Sequence, residues 1–98
     1  MAADNEQHLQ DVVNTNLMGA LYCANAAYKL MTKNDDYGHI INVNSIMGHY
    51  VAKFGDECNV NVYASTKYAL TAATEVMRQE LNFFKNKKVK VSVRFYFV

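Results

Sequence analysis

The sequence predicts an α/β fold in which a leading helix precedes a strand, a helix and a second strand, the two strands being parallel. Three observations carry that prediction. Apolar residues recur at helical spacing over residues 9–31 and again over 70–84; the β-branched pair Ile40-Ile41 is followed by Val43; and apolar and polar residues alternate over 89–97. Strand, helix and strand in that order make a βαβ unit, whose crossover is expected to be right-handed.

Asp4 followed by Gln7 has the form of a capping box. Leu9, Val13, Leu17, Ala20, Ala24, Ala27 and Met31 then mark one face of a long first helix ending near Lys33. Asn34-Asp35-Asp36-Tyr37-Gly38 is turn chemistry, with Gly38 the residue able to take a positive φ. The strand from His39 to Asn44 carries Ile40, Ile41 and Val43, which suits burial on both faces and hence parallel pairing. From Ile46 to Asn61 the pattern lapses into a polar loop with Gly48 and Gly55. Helical spacing resumes through Leu70, Ala73, Met77, Leu81 and Phe84 and predicts a second helix from about Val62 to Lys85. Finally Val89, Val91, Val93, Phe95 and Phe97 alternate with Lys90, Ser92, Arg94 and Tyr96, a strand pattern.

Composition narrows the class. Ninety-eight residues allow one small domain or a piece of a larger one. Apolar and charged fractions of 51% and 19% suit a globular chain rather than a disordered one. A net charge of +1 gives no sign of a nucleic-acid partner. Lys85, Lys87, Lys88 and Lys90 cluster late in the chain, where a phosphate-binding patch and a solvated helix C-terminus are both possible readings; the helix macrodipole favours the second. Cys23 and Cys58 lack the spacing of a zinc site, so no metal centre is expected. No apolar stretch approaches the roughly 20 residues of a membrane span, and the N-terminus has no signal-peptide pattern; a cytoplasmic protein is expected. Two strands leave both sheet edges open, and the chain stops inside the apolar run Phe95-Tyr96-Phe97-Val98. Both ends are therefore expected to be cuts in a longer domain.

The chemistry is concentrated in Tyr63-Ala64-Ser65-Thr66-Lys67, downstream of Ser45. On a helix, positions four apart share a face, so Tyr63 and Lys67 can point into one cleft. An ammonium roughly 5 Å from a phenol oxygen, at an effective dielectric near 20, favours the phenolate by about 3 kcal/mol. That arrangement makes a tyrosine useful in acid–base chemistry. Tyr and Lys four apart also arise by chance, and the spacing gains meaning from its setting: a strand ending at Ser45, a loop, then the pair opening a helix. Ser45 reads either as a substrate-holding hydroxyl or as a cap or turn former. His39 and His49 read as loop or surface residues rather than as acids or bases.

With those elements in place, the chain resembles the short-chain dehydrogenase/reductase family. Asn16-Leu17-Met18-Gly19 looks like the family's Asn-Leu-x-Gly segment, Ser45 ends its strand as the family serine does, and Tyr63 and Lys67 match Tyr-x-x-x-Lys. Ser45-Ile46-Met47-Gly48-His49 and Asn61-Val62-Tyr63, followed by Thr66-Lys67-Tyr68-Ala69-Leu70-Thr71-Ala72, resemble the farnesol-dehydrogenase-like branch. The resemblance implies a partial Rossmann-type fold, residues 1–98 being a partial family domain, the catalytic half without the N-terminal dinucleotide-binding half. It implies an oxidoreductase that moves a hydride between NADP or NAD and an alcohol or carbonyl of a lipophilic small molecule. Tyr63 would be the general acid or base. Lys67 would stabilise its phenolate and bind the nicotinamide ribose, Ser45 would bind the substrate oxygen, and Asn16 would hold a water linking Lys67 to solvent.

The family's glycine-rich pyrophosphate turn is not found here, since Gly19, Gly38, Gly48 and Gly55 are too dispersed to build it. These 98 residues alone are accordingly expected to be inactive. The resemblance also implies that the two helices pack against a second subunit, so a homo-oligomer is expected. The alternative function is a truncated, non-catalytic dimerisation or interaction module.

Overall fold

The computed structural model describes residues 6–50 and 62–96. Helix α1 (Glu6–Val13) runs through a π-helical turn (Asn14–Met18) into α2 (Gly19–Lys33). Strand β1 (Gly38–Ser45) follows, then a single 3₁₀ turn (Ile46–Gly48), helix α3 (Tyr63–Phe83) and strand β2 (Val89–Tyr96). The proposed Asp4 cap, Gly55, Cys58, Asn61 and Phe97 lie outside the described residues.

The strands pair in parallel with a register that matches Gly38 to Val89 and Ser45 to Tyr96. Side chains of paired residues share a face, so Ile40 with Val91, Asn42 with Val93 and Asn44 with Phe95 form one surface. This surface takes part in the apolar cluster of Leu81, Val89 and Val91, flanked by Tyr28, Met31, Ile40 and Met77. Burying side chains of this size contributes about 1.5–3 kcal/mol each. Tyr28 and Met31 come from α2, Met77 and Leu81 from α3, so both helices cover the same face of the sheet.

That arrangement corrects the expectation that β1 is buried on both sides. Among the described residues the second face is open: Ile41 is 50% and Val43 61% exposed, and His39 accepts or donates across it to the Ser92 hydroxyl at 2.7 Å. A β-branched run suits a strand covered on both faces, and the described residues cover one of them.

Both long helices end in the same way. Asp36 N–H donates to Met31 C=O and Asp35 N–H to Thr32 C=O; Asn86 N–H donates to Leu81 C=O and Lys85 N–H to Asn82 C=O. These are Schellman pairs, and each needs one left-handed residue. Asp35 (φ 52°) and Lys85 (φ 55°) supply it. The positive φ assigned to Gly38 therefore falls at Asp35 instead, and Gly38 opens β1, its N–H donating to Lys88 C=O at 3.0 Å. Lys88 ties the two helix ends together through an ion pair with Asp35 at 2.9 Å, so this part of the lysine cluster serves a helix terminus.

Candidate active site

In a parallel sheet the strands point the same way, and the loops leaving their C-terminal ends gather on one edge. Ser45 is the last residue of β1 and Tyr63 the first of α3, so the connection between them begins and ends at that edge.

The first turn of α3 carries Tyr63 and Lys67. The Lys67 ammonium lies over the Tyr63 ring, 5.3 Å from its centroid, as the four-residue spacing requires. Both side chains are half-buried, which leaves them accessible from the edge. One residue between them, Thr66, is 2% exposed; its hydroxyl donates to Tyr63 C=O at 2.7 Å and accepts from Asn16 Nδ2 at 3.3 Å. Asn16 is thus joined to the turn that holds Tyr63. It also lines, with Lys67, Cys23 and Val43, a cleft of about 450 Å³ between α2 and the free edge of β1.

Asn16 reaches that position because the helix is locally widened. Gly19 N–H donates to Asn14 C=O, a five-residue step in place of four, and Asn16 sits in the middle of the bulge. Single π turns of this kind cluster at functional sites. Periodicity predicted an unbroken helix here; a one-residue insertion leaves the apolar spacing nearly unchanged and so escapes it.

Ser45 is fully buried, 0% exposed. Its hydroxyl accepts from Met47 N–H at 3.1 Å and caps the 3₁₀ turn, the structural role that the sequence left open beside the functional one. His49 stacks on Phe95 with ring centroids 4.0 Å apart, a packing contact at the same edge.

Sequence reasoning passed over Asn42 and Asn44, which are 7% and 1% exposed on the helix-covered face of β1. Asn42 Nδ2 donates to Thr74 Oγ1 at 2.9 Å; Asn44 Nδ2 donates to Lys67 C=O at 3.1 Å and to Thr71 Oγ1 at 3.0 Å. An available signal was the pair of asparagines at inward positions of an otherwise apolar strand. A buried amide must find partners, so such a pair announces a polar seam with the covering helix.

Comparison with known families and proteins agrees with this arrangement. Residues 1–94 match the short chain dehydrogenase family. The chain is 43% identical over 81 residues to a farnesol dehydrogenase of Aedes aegypti, covering 83% of this chain and 32% of that protein. It is 44% identical over 73 residues to dehydrogenase/reductase SDR family member 11 of Mus musculus, covering 74% and 27%, and 45% over 71 residues to the Gallus gallus protein of that name, covering 71% and 27%. The chain therefore spans about a third or less of the length of these relatives. No helix among the described residues is long and apolar enough to cross a membrane. The match over nearly its whole length and the parallel βαβ unit with its Tyr63–Lys67 turn lead to one conclusion: this chain belongs to the short chain dehydrogenase family.

Proposed function

We propose that residues 1–98 form the catalytic half of a larger domain, and that the whole protein interconverts an alcohol and a carbonyl on a lipophilic small molecule. The observation that carries this reading is the Tyr63–Lys67 turn, joined through Thr66 to Asn16 and facing the strand end that holds Ser45. When bound, a nicotinamide cofactor supplies the hydride for reduction and accepts it in oxidation. The relative named a farnesol dehydrogenase supports a lipophilic alcohol, and the family supports NADP or NAD as the cofactor.

The residues fit the ribose end of such a cofactor. Lys67 carries three donors on an accessible ammonium beside a cleft, suited to paired hydroxyls. Among the described residues Gly19, Gly38 and Gly48 lie in a helix, a strand and a 3₁₀ turn rather than in one loop before a helix, which supports a pyrophosphate cradle built elsewhere. That cradle would come from sequence outside these residues.

In reduction, Tyr63 donates its phenolic proton to the carbonyl oxygen as negative charge develops there; in oxidation the phenolate takes the alcohol proton. Lys67 stabilises the phenolate through its charge, Ser45 donates to the same substrate oxygen, and Asn16 holds the water through which protons reach Lys67. The cytoplasm is the proposed location.

Replacing Tyr63 by Phe in the gene product, expressed with its natural flanking sequence, removes the proton donor and leaves the ring. Turnover should fall by about 10²–10⁴-fold, the range for loss of a general acid, while NADPH affinity by fluorescence titration stays near wild type. Retained turnover would remove Tyr63 from the mechanism. A second reading, association without catalysis, draws on the apolar groove of about 440 Å³ between α2 and α3, lined by Leu21, Tyr28, Met77 and Phe84. The absence of any NAD(P)-dependent turnover from the gene product would favour it.

A further inference from the structure

We propose that Asn44 is a positioning residue that sets the spacing between Ser45 and the Tyr63–Lys67 turn. The inference rests on the dehydrogenase reading above for its consequence, and on geometry alone for its existence.

The Asn44 side chain uses each of its polar groups. One N–H is directed to Lys67 C=O at 3.1 Å and the other to Thr71 Oγ1 at 3.0 Å, while Oδ1 accepts from the Ser45 N–H at 2.8 Å. A carbonyl can only accept, so the bond to Lys67 settles which end of the amide is nitrogen. One buried side chain therefore holds the backbone of Ser45 on one side and the backbone of Lys67 on the other. Thr71 extends the clamp: its hydroxyl lies 3.1 Å from both Gly48 C=O and Lys67 C=O and directs its one proton to them.

An independent observation places the turn after Ser45 against the same atoms. A Cβ added to Gly48 would lie 2.6 Å from Thr71 Oγ1, 2.8 Å from Asn44 Nδ2 and 3.1 Å from Lys67 C=O. Position 48 is thus held to glycine by close approach, with no side-chain room between turn and helix. Strand end, turn and helix meet at one point, and from the strand end Asn44 reaches both the turn and the helix.

Asn42 provides an internal control. It lies two residues earlier on the same face and ties the same strand to the same helix through Thr74, farther from Ser45. A tie that serves stability alone would make the two asparagines equivalent.

The test compares Asn44→Leu with Asn42→Leu in the gene product with its natural flanking sequence, reading kcat, the cofactor dissociation constant and crystal structures. Asn44→Leu is expected to lower kcat by about 10²-fold, the loss that accompanies a displacement of about 1 Å at a reacting centre. It should leave cofactor affinity nearly unchanged and alter the Ser45–Lys67 Cα separation. Asn42→Leu is expected to leave both kcat and that separation near wild type. Equal kcat losses in the two variants, or an unchanged separation in Asn44→Leu, overturn the proposal. If Asn44→Leu does not fold, Thr71→Val against Thr74→Val repeats the comparison with one hydroxyl removed from each tie, and equal effects again overturn it. Retained turnover in Tyr63→Phe, or none in the wild type, defeats the dehydrogenase reading instead; the crystallographic separation then decides on Asn44 by itself.

Discussion

The two ends of β1 meet the same helix by different means. At the N-terminal end Ile40 and its partner Val91 pack with Leu81, Met77, Tyr28 and Met31, all apolar contacts without preferred direction. At the C-terminal end Asn44 and Ser45 are as well buried, yet their contacts are hydrogen bonds with defined partners: Asn44 donates to Lys67 C=O and Thr71 Oγ1, and the Ser45 hydroxyl accepts from Met47 N–H. Apolar packing tolerates small slides, because many weak contacts are exchanged for similar ones. A buried amide bonded on three sides tolerates little, because each lost bond leaves a desolvated polar group costing about 1–3 kcal/mol. The apolar end holds the layers together, and the polar end fixes where the strand terminus sits against the turn that bears Tyr63 and Lys67.

Three substitutions test that contrast. Leu81→Ala removes the largest member of the apolar cluster, and the lost burial and the cavity should cost about 2–3 kcal/mol by chemical denaturation. Its effect on cofactor affinity should be small; a large one would make the apolar end part of the site. Gly48→Ala forces a methyl group against Thr71 and Asn44 at the polar end and should cost about 1–2 kcal/mol through overpacking. Unlike Leu81→Ala it should also depress kcat, and equal kcat values for the two variants would erase the distinction. The smallest effect is expected at neither end: Lys85→Gly places a residue without Cβ at φ 55° and should stabilise the chain by about 0.5–1 kcal/mol, leaving kcat alone. Destabilisation there would mean that the Lys85 side chain contributes more than its backbone strain removes.

Much of this was legible in the residues. The first helix ending near Lys33, the second over about Val62 to Lys85, which the structure ends at Phe83, the strands from about 39 and 89, and the shared face of Tyr63 and Lys67 follow from periodicity, because α-helices and strands have different repeat lengths. What periodicity passed over shares one cause. The bulge at Asn14–Met18, the open face of Ile41 and Val43, and the left-handed Asp35 all depend on which surface another element occupies, and that is a matter of three-dimensional arrangement.

By itself, then, the sequence determined the element order, the parallel βαβ unit and the family to which the Tyr63–Lys67 pair points, since these rest on local spacing and residue type. Only the tertiary structure decided that both helices share one face of the sheet, that Asn16 is joined to the Tyr63 turn through Thr66, and that Asn44 bridges Ser45 to Lys67. The physical reason is that hydrogen bonds between residues 23 or 50 positions apart are set by packing, and a side chain's partners across a fold leave no periodic trace in the chain that carries it.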